Sequence, residues 1–254
     1  MEKIDYTGKY FRESMPEWKR KKDPFTVHYI YRPISFYVAA WCARHNISAN
    51  TVSYTSALVA IAAAGCFIIN DYYCHIAGAI LSNVWMLMDC VDGNLARTVK
   101  KQPFGAFADA MSSYILVAFI CLAMGFAAYQ EGGILVQPGC IWIVLVGALA
   151  SISDTLMRLI YQKYKNVEHE LEKAGILIAE IDERQDVNLS TNWKNKIDET
   201  FGIGGIMQIC ILLSAIFHAL DLMVLYCFAF FGSIALVAIV SLVRKAIRRA
   251  KENE

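Results

Sequence analysis

The stretch Asp89-Cys90-Val91-Asp92-Gly93-Asn94-Leu95-Ala96-Arg97, followed after seven residues by Gly105-Ala106-Phe107-Ala108-Asp109, decides how this chain is read. Long apolar runs adjoin it on both sides. Asp89, Asp92, Gly93 and Ala96 fall at i, i+3, i+4 and i+7, one face of a helix. Gly105 and Asp109 stand i, i+4 on a second helix. Two helices thus present three carboxylates and two glycines to one another. A charge at the centre of a membrane helix costs about 2.5–3.5 kcal/mol on insertion scales, and charges kept there are paired or mark function. Acids at this spacing, with glycines that admit a close neighbour, are the parts of a divalent-metal site for a phosphate-bearing ligand.

Outward from that stretch the chain reads as membrane. It has 254 residues, of which 57% are hydrophobic, above the usual share of a soluble domain. Six spans of about 20 residues, the length that crosses about 30 Å of hydrocarbon, are predicted. They lie at about 51–70, 72–92, 105–129, 139–161, 203–220 and 222–243. The fifth is the shortest and begins among Gly202, Gly204 and Gly205. The links at Asn70-Asp71, Gln130–Gly133 and His218–Asp221 contain no lysine or arginine, whereas the opposite links carry Arg97, Lys100, Lys101, Lys163, Lys165 and Lys173, and the tail carries Arg244, Lys245, Arg248 and Arg249. The positive-inside rule then places both termini and the Asp89–Asp109 cluster in the cytoplasm of an integral cell-membrane protein. The expected fold is all-α and polytopic: six transmembrane helices preceded by an N-terminal amphipathic juxtamembrane helix.

The arm and the loop follow the same logic. Residues 1–48 form the predicted cytoplasmic arm, with an interfacial helix over 25–46 whose aromatics sit at headgroup depth. Its opening is too polar for a secretory signal, so the first span is expected to direct insertion. The basic run Lys19-Arg20-Lys21-Lys22 suits an anionic membrane surface, or is simply solvated. The membrane domain is expected over 49–245, with a cytoplasmic loop at about 163–202 holding a helix near 167–183, and a tail at 246–254. Eight scattered cysteines without C-x-x-C spacing give no zinc site or disulfide framework. Basic residues flank apolar spans and form no aromatic-laced patch, which argues against nucleic acid.

The quoted motif resembles the signature of the CDP-alcohol phosphotransferase (CDP-alcohol phosphatidyltransferase) family, integral membrane enzymes that join a CDP-activated group to an alcohol and release CMP. Six spans, the preceding amphipathic helix and Asn50-Thr51-Val52 at the head of the first span extend the resemblance over most of the chain. It implies that Asp89, Asp92 and Asp109 bind two Mg2+ or Mn2+ ions that grip the donor diphosphate. Gly93, Ala96 and Gly105 would leave room for cytidine and ribose, and Arg97 would hold phosphate or fix the second helix. Asn50 would sit near the nucleotide, an N-cap of the first span being its ordinary alternative. A CDP-linked donor, an alcohol acceptor, the bilayer and a second copy of the chain are the implied partners. The donor is expected to be CDP-diacylglycerol and the acceptor a small polar alcohol; a soluble CDP-alcohol with a lipid acceptor is the reverse arrangement.

Two positions depart from the family. The link from Arg97 to Gly105 is one residue short, which a loop absorbs. The pattern's fourth aspartate, four residues beyond Asp109, is Ser113. In the family that acid is a metal ligand and the proposed base for the attacking hydroxyl, and loss of a positioned base typically costs about 10²–10⁴ in rate. An introduced inactivating change, another base such as Asp154, or a catalytically silent CDP-binding protein each account for Ser113. Asp154 and Arg158 form an i, i+4 pair on the fourth span, readable as a local ion pair or as a phosphate ligand at Arg158. His75 and His218 fall away from the motif. Divalent-cation transport is the reading from another class, disfavoured because the acids gather at one end with no deeper set.

Overall fold

The computed structural model describes residues 5–176 and 200–251. Among them every regular element is helical. Two short helices, α1 (Gly8–Glu13) and α2 (Glu17–Lys22), lead to a π-helical turn at Val27–Tyr31 and then to α3 (Arg32–Arg44). The π turn has a covalent cause. Pro33 stands at the start of α3, has no N–H for the carbonyl four residues back, and crowds it. The Arg32 N–H instead reaches Val27 O, one residue further back than α-helical geometry. Asn46, at φ 57°, turns the chain out of α3, a left-handed position that asparagine tolerates.

Four long helices follow: α4 (Ala49–Ile68), α5 (Tyr72–Thr98), α6 (Gly105–Glu131) and α7 (Ile141–Lys173). Short α8 (Met207–Ile216) and long α9 (Leu220–Lys251) complete the described chain. Five helices, α4 to α7 and α9, are long and apolar enough to cross a membrane. The chain is an all-α polytopic membrane protein. Side chains cap the antiparallel α4–α5 hairpin: Ser48 Oγ accepts from Thr51 N at 3.1 Å, and Asp71 Oδ1 from Cys74 N at 2.9 Å. Each helix end thereby gains an acceptor for a donor its own turns leave unpaired.

Small residues bring the helices together. A Cβ on Gly78 of α5 would stand 2.9 Å from Ala63 O of α4, and one on Gly125 of α6 would stand 3.0 Å from Ile143 O of α7. In lipid, where apolar side chains gain little from avoiding the solvent, such close backbone contact is a main source of cohesion. The core between these helices holds Phe67, Leu116, Ile120, Met124 and Val224.

The fifth predicted span is part turn and part helix. Only 10 residues are helical, Met207–Ile216, about 15 Å at 1.5 Å per residue and half a bilayer core. Gln208 meets Ser82 and Asn83 midway along α5, while Tyr72 OH reaches Ile216 O at 2.9 Å. Turns at 202–206 occupy the other half. Three glycines in four positions, each about 1 kcal/mol less favourable than alanine in a helix, account for the break.

The predicted helix near 167–183 is also redrawn. Its first part continues the fourth span as far as Lys173, and its remainder beyond 176 lies outside the described residues. At 33 residues α7 outruns the hydrocarbon, so its last turns meet the end of α9 beyond it. There Glu168 binds Arg249 at 2.5 Å and Lys165 at 2.7 Å.

Candidate active site

The last turns of α5 and the first of α6 meet beside the head of α4. The α5 face carries Asp89, Asp92, Gly93, Ala96 and Arg97, and α6 carries Gly105, Asp109 and Ser113. The predicted pairing of two helices is therefore present. Asp92 is buried, Asp89 half-buried and Asp109 exposed, so the acids descend from the surface inward. The Asp89 carboxylate lies in the field of Asp109, and Asp92 lies in the fields of both. One oxygen of Asp92 is engaged elsewhere, accepting from Ser53 Oγ of α4 at 2.6 Å. Among the described residues no three His, Cys, Asp or Glu side chains converge as a finished ion-binding group. The hydrogen bond from Ser53 holds one oxygen of Asp92 toward α4. The donor set still fits a hard cation: facing carboxylates have unsatisfied mutual repulsion that such an ion relieves.

Cations ring the acids. Lys19, Arg32 and Arg97 all act on Asp89. Arg32 is 5% exposed and donates to both oxygens of Asp23 at 2.8 and 2.9 Å, to Asn94 Oδ1 at 3.1 Å and to Cys90 O at 3.4 Å. Lys19 reaches Asp23 at 3.0 Å. Burial raises the Asp23 pKa, but the Arg32 hydrogen bonds and charge and the Lys19 charge outweigh it, leaving the carboxyl below its ordinary value. The N-terminal arm is thereby fastened to the acid-bearing face of α5. A cavity of about 170 Å³ opens between them, lined by Lys19, Asp23, Arg32, Asp89 and Gly204. The 202–206 turn thus reaches Asp89 through Gly204.

The structure redistributes several expected roles. Arg97 folds back over Gly93, where a Cβ would stand 3.0 Å from the guanidinium, and donates to Asn94 Oδ1 at 3.2 Å. The space above Gly93 therefore holds Arg97. Asn50 is not the N-cap of the first span; Ser48 is. Asn50 Nδ2 donates to Pro103 O at 2.8 Å, while Oδ1 has no donor and faces Gly105, 3.4 Å from where its Cβ would be. Asn50 thus ties α4 to the link before α6. Ser113 Oγ accepts from Arg158 Nη1 at 3.4 Å, and Arg158 Nε pairs with Asp154 at 2.5 Å. Arg158 also lies 5.5 Å from the centre of the Tyr114 ring. The position of the missing aspartate therefore faces a cation already paired with Asp154.

The profile of the CDP-alcohol phosphatidyltransferase family matches residues 46–237, more than half of the chain and all of the site just described apart from the arm. The chain belongs to that family. A search of curated proteins finds no match. As a CDP-alcohol phosphatidyltransferase it is assigned to the transferases of phospholipid synthesis. The match begins at Asn46, so Lys19, Asp23 and Arg32 lie outside what the family profile recognises. These three were missed in the sequence because nothing in their spacing links them to α5. Arg32 lies 62 residues from Asn94, and only the folded chain joins them.

Proposed function

We propose that this CDP-alcohol phosphatidyltransferase moves a phosphatidyl group from CDP-diacylglycerol to a small polar alcohol at the cytoplasmic face. The observation that carries the reading is the juxtaposition of Asp89 and Asp109 across two helices, with Asp92 beneath them and Lys19, Arg32 and Arg97 around them. Asp89, Asp92 and Asp109 would hold Mg2+ or Mn2+, whose charge neutralises a diphosphate and polarises its phosphorus. The acceptor oxygen forms a bond to the phosphorus bearing the diacylglycerol, the bond from that phosphorus to the CMP oxygen breaks, and the hydroxyl proton leaves to a base. Positioning and charge neutralisation supply most of such catalysis.

Within this reading Arg97 and Lys19 steer the diphosphate, and Arg158 stands where an acceptor phosphate or hydroxyl would approach Ser113. Ser113 is a poor base, so the proton passes to Asp154 or to solvent. Lipid substrates reach the acids from the side of the 202–206 turn, beside the shortened α8. The lysine- and arginine-rich links at this end support a cytoplasmic site.

Incubation of the purified chain with labelled CDP-diacylglycerol, Mg2+ or Mn2+ and a panel of alcohols tests the reading. A new phospholipid and released CMP are expected, and both vanish with chelator. Turnover only with a soluble CDP-alcohol and diacylglycerol would replace this donor by the reverse arrangement. The contact of Ser113 with Arg158 favours one second reading, a CDP-binding protein without turnover. Metal-dependent retention of CDP-diacylglycerol with no CMP release from any alcohol would establish it.

A further inference from the structure

The N-terminal arm encloses a second, larger cavity, of about 460 Å³, that the transferase reading does not use. Lys9, Arg12, Arg20, His28 and Arg32 line it, and among the described residues no carboxylate does. Several described basic residues of this arm are answered locally: Lys9 pairs with Glu13, Lys19 with Asp23, Lys21 with Glu17, and Arg32 with Asp23. Among the described residues neither Arg12 nor Arg20 makes an ion pair, although the Arg20 charge also acts on the exposed Glu17. The Arg20 guanidinium donates to the main-chain oxygen of Arg12, which draws the second arginine toward the first and holds α2 against α1. Gathering like charges in one concavity opposes folding unless an anion joins them.

The cavity is built. Phe11 and Met15 are buried together with Phe36, Ala39 and Ala40 of α3. Gly8 lies so close to Tyr37 that a Cβ would stand 2.8 Å from the ring. Around the same segment Phe25, Tyr29, Tyr37 and Trp41 are exposed, Tyr29 and Tyr37 at the rim of the cavity itself. Exposed aromatics on a helix beside the spans belong at the headgroup level of a bilayer. The basic cavity therefore opens at the depth where lipid phosphates lie.

We propose that this cavity binds the phosphate of an anionic phospholipid headgroup, with Arg12 and Arg20 as its ligands. Guanidinium groups hold phosphate oxygens through paired, charge-assisted hydrogen bonds. The site is separate from the acids, since Asp89 lines only the smaller cavity and Arg32 forms the wall between the two. It stands whether or not the chain turns over CDP-diacylglycerol.

The test uses the full chain in detergent, with retained lipid counted by native mass spectrometry against equimolar phosphatidylglycerol and phosphatidylcholine. Phosphatidylglycerol should be retained over phosphatidylcholine by about fivefold or more, and Arg12→Gln/Arg20→Gln should abolish that preference. Lys21→Gln/Arg44→Gln removes equal charge from the same arm outside the cavity and should keep it. Equal loss in both double variants would mean diffuse surface charge and overturn the site. Inorganic phosphate at matched concentration should leave the lipid bound; displacement would make the ligand a soluble phosphate and overturn the headgroup assignment. The unaltered protein gives an independent measure: phosphatidylglycerol should raise its thermal midpoint above that in phosphatidylcholine, and an unchanged midpoint counts against the proposal.

Discussion

Carboxylates sit at both ends of this helix bundle, and their surroundings differ. At the end away from the motif, Asp221 is fully buried and accepts from Leu135 N at 2.6 Å, Val136 N at 3.1 Å and Leu222 N at 2.8 Å. Gly133 lies against this carboxylate with no room for a side chain. Glu131 stands between His75 at 2.9 Å and His218 at 3.4 Å. At the motif end, Asp89 lies in the field of Asp109 and Asp92 in the fields of both, and the nearby cations belong to the arm and to Arg97. An acid whose oxygens are matched by fixed donors holds a structure together. Acids that face acids store a demand for a cation from outside. The contrast teaches that composition alone does not mark an active site in a membrane protein; the bookkeeping of donors does.

The largest expected effect comes from adding to the open set. Ser113→Asp should raise CMP release by about 10²–10⁴, measured with CDP-diacylglycerol and the preferred alcohol, because it supplies a base beside Asp109. An unchanged rate would mean that the proton already leaves by another route. Subtracting from the same set comes next. Asp89→Asn and Asp109→Asn should each lower turnover on the order of 10²–10³, while the thermal midpoint in detergent holds or rises as repulsion is removed. A marked fall in midpoint would make these acids structural, like Asp221, and erase the contrast.

The matched end should behave in the opposite way. Asp221→Ala strands the Leu135 and Val136 N–H groups and should cost about 2–4 kcal/mol of stability, read as a lower midpoint, with the folded fraction turning over normally. The smallest effect is expected at Asp23, whose native pKa is depressed. Its contribution is complete above the unfolded carboxylate value, near 4, and is lost as pH falls through the lower native value. Asp23→Asn should therefore flatten the acid limb of stability below about pH 4, by about 1 kcal/mol, in thermal melts taken across pH. An identical acid limb in the variant would show that the arm is held by something else.

Much of the fold was legible because lipid imposes a length. Runs near 20 apolar residues and lysine-free links located α4 to α7 and α9 closely. The motif spacing also predicted the two helix ends that carry Asp89, Asp92 and Asp109, and these ends meet beside the head of α4. Three things escaped. The glycines at 202–205 were visible, but an apolar window averages over them, so the turn that opens the fifth span was not foreseen. Asp221 was read only as part of a short link, since a carboxylate filled by backbone donors leaves no sequence pattern. Asn50 was read as near the nucleotide, or else as the N-cap; Ser48 fills the cap, because either residue type serves in that position. The tie of Asp92 to Ser53 and the reach of Arg158 to Ser113 depend on helix rotation, which hydropathy does not specify.

The burial of Arg32 imposes an order on assembly. Its acceptors at Cys90 and Asn94 are made 58 and 62 residues later, whereas Asp23 precedes it by nine. On the ribosome the guanidinium travels with Asp23 alone, and the pair stays wet until the second long helix has been threaded into the bilayer. A chain stalled before that moment displays a charged latch with nothing to close upon.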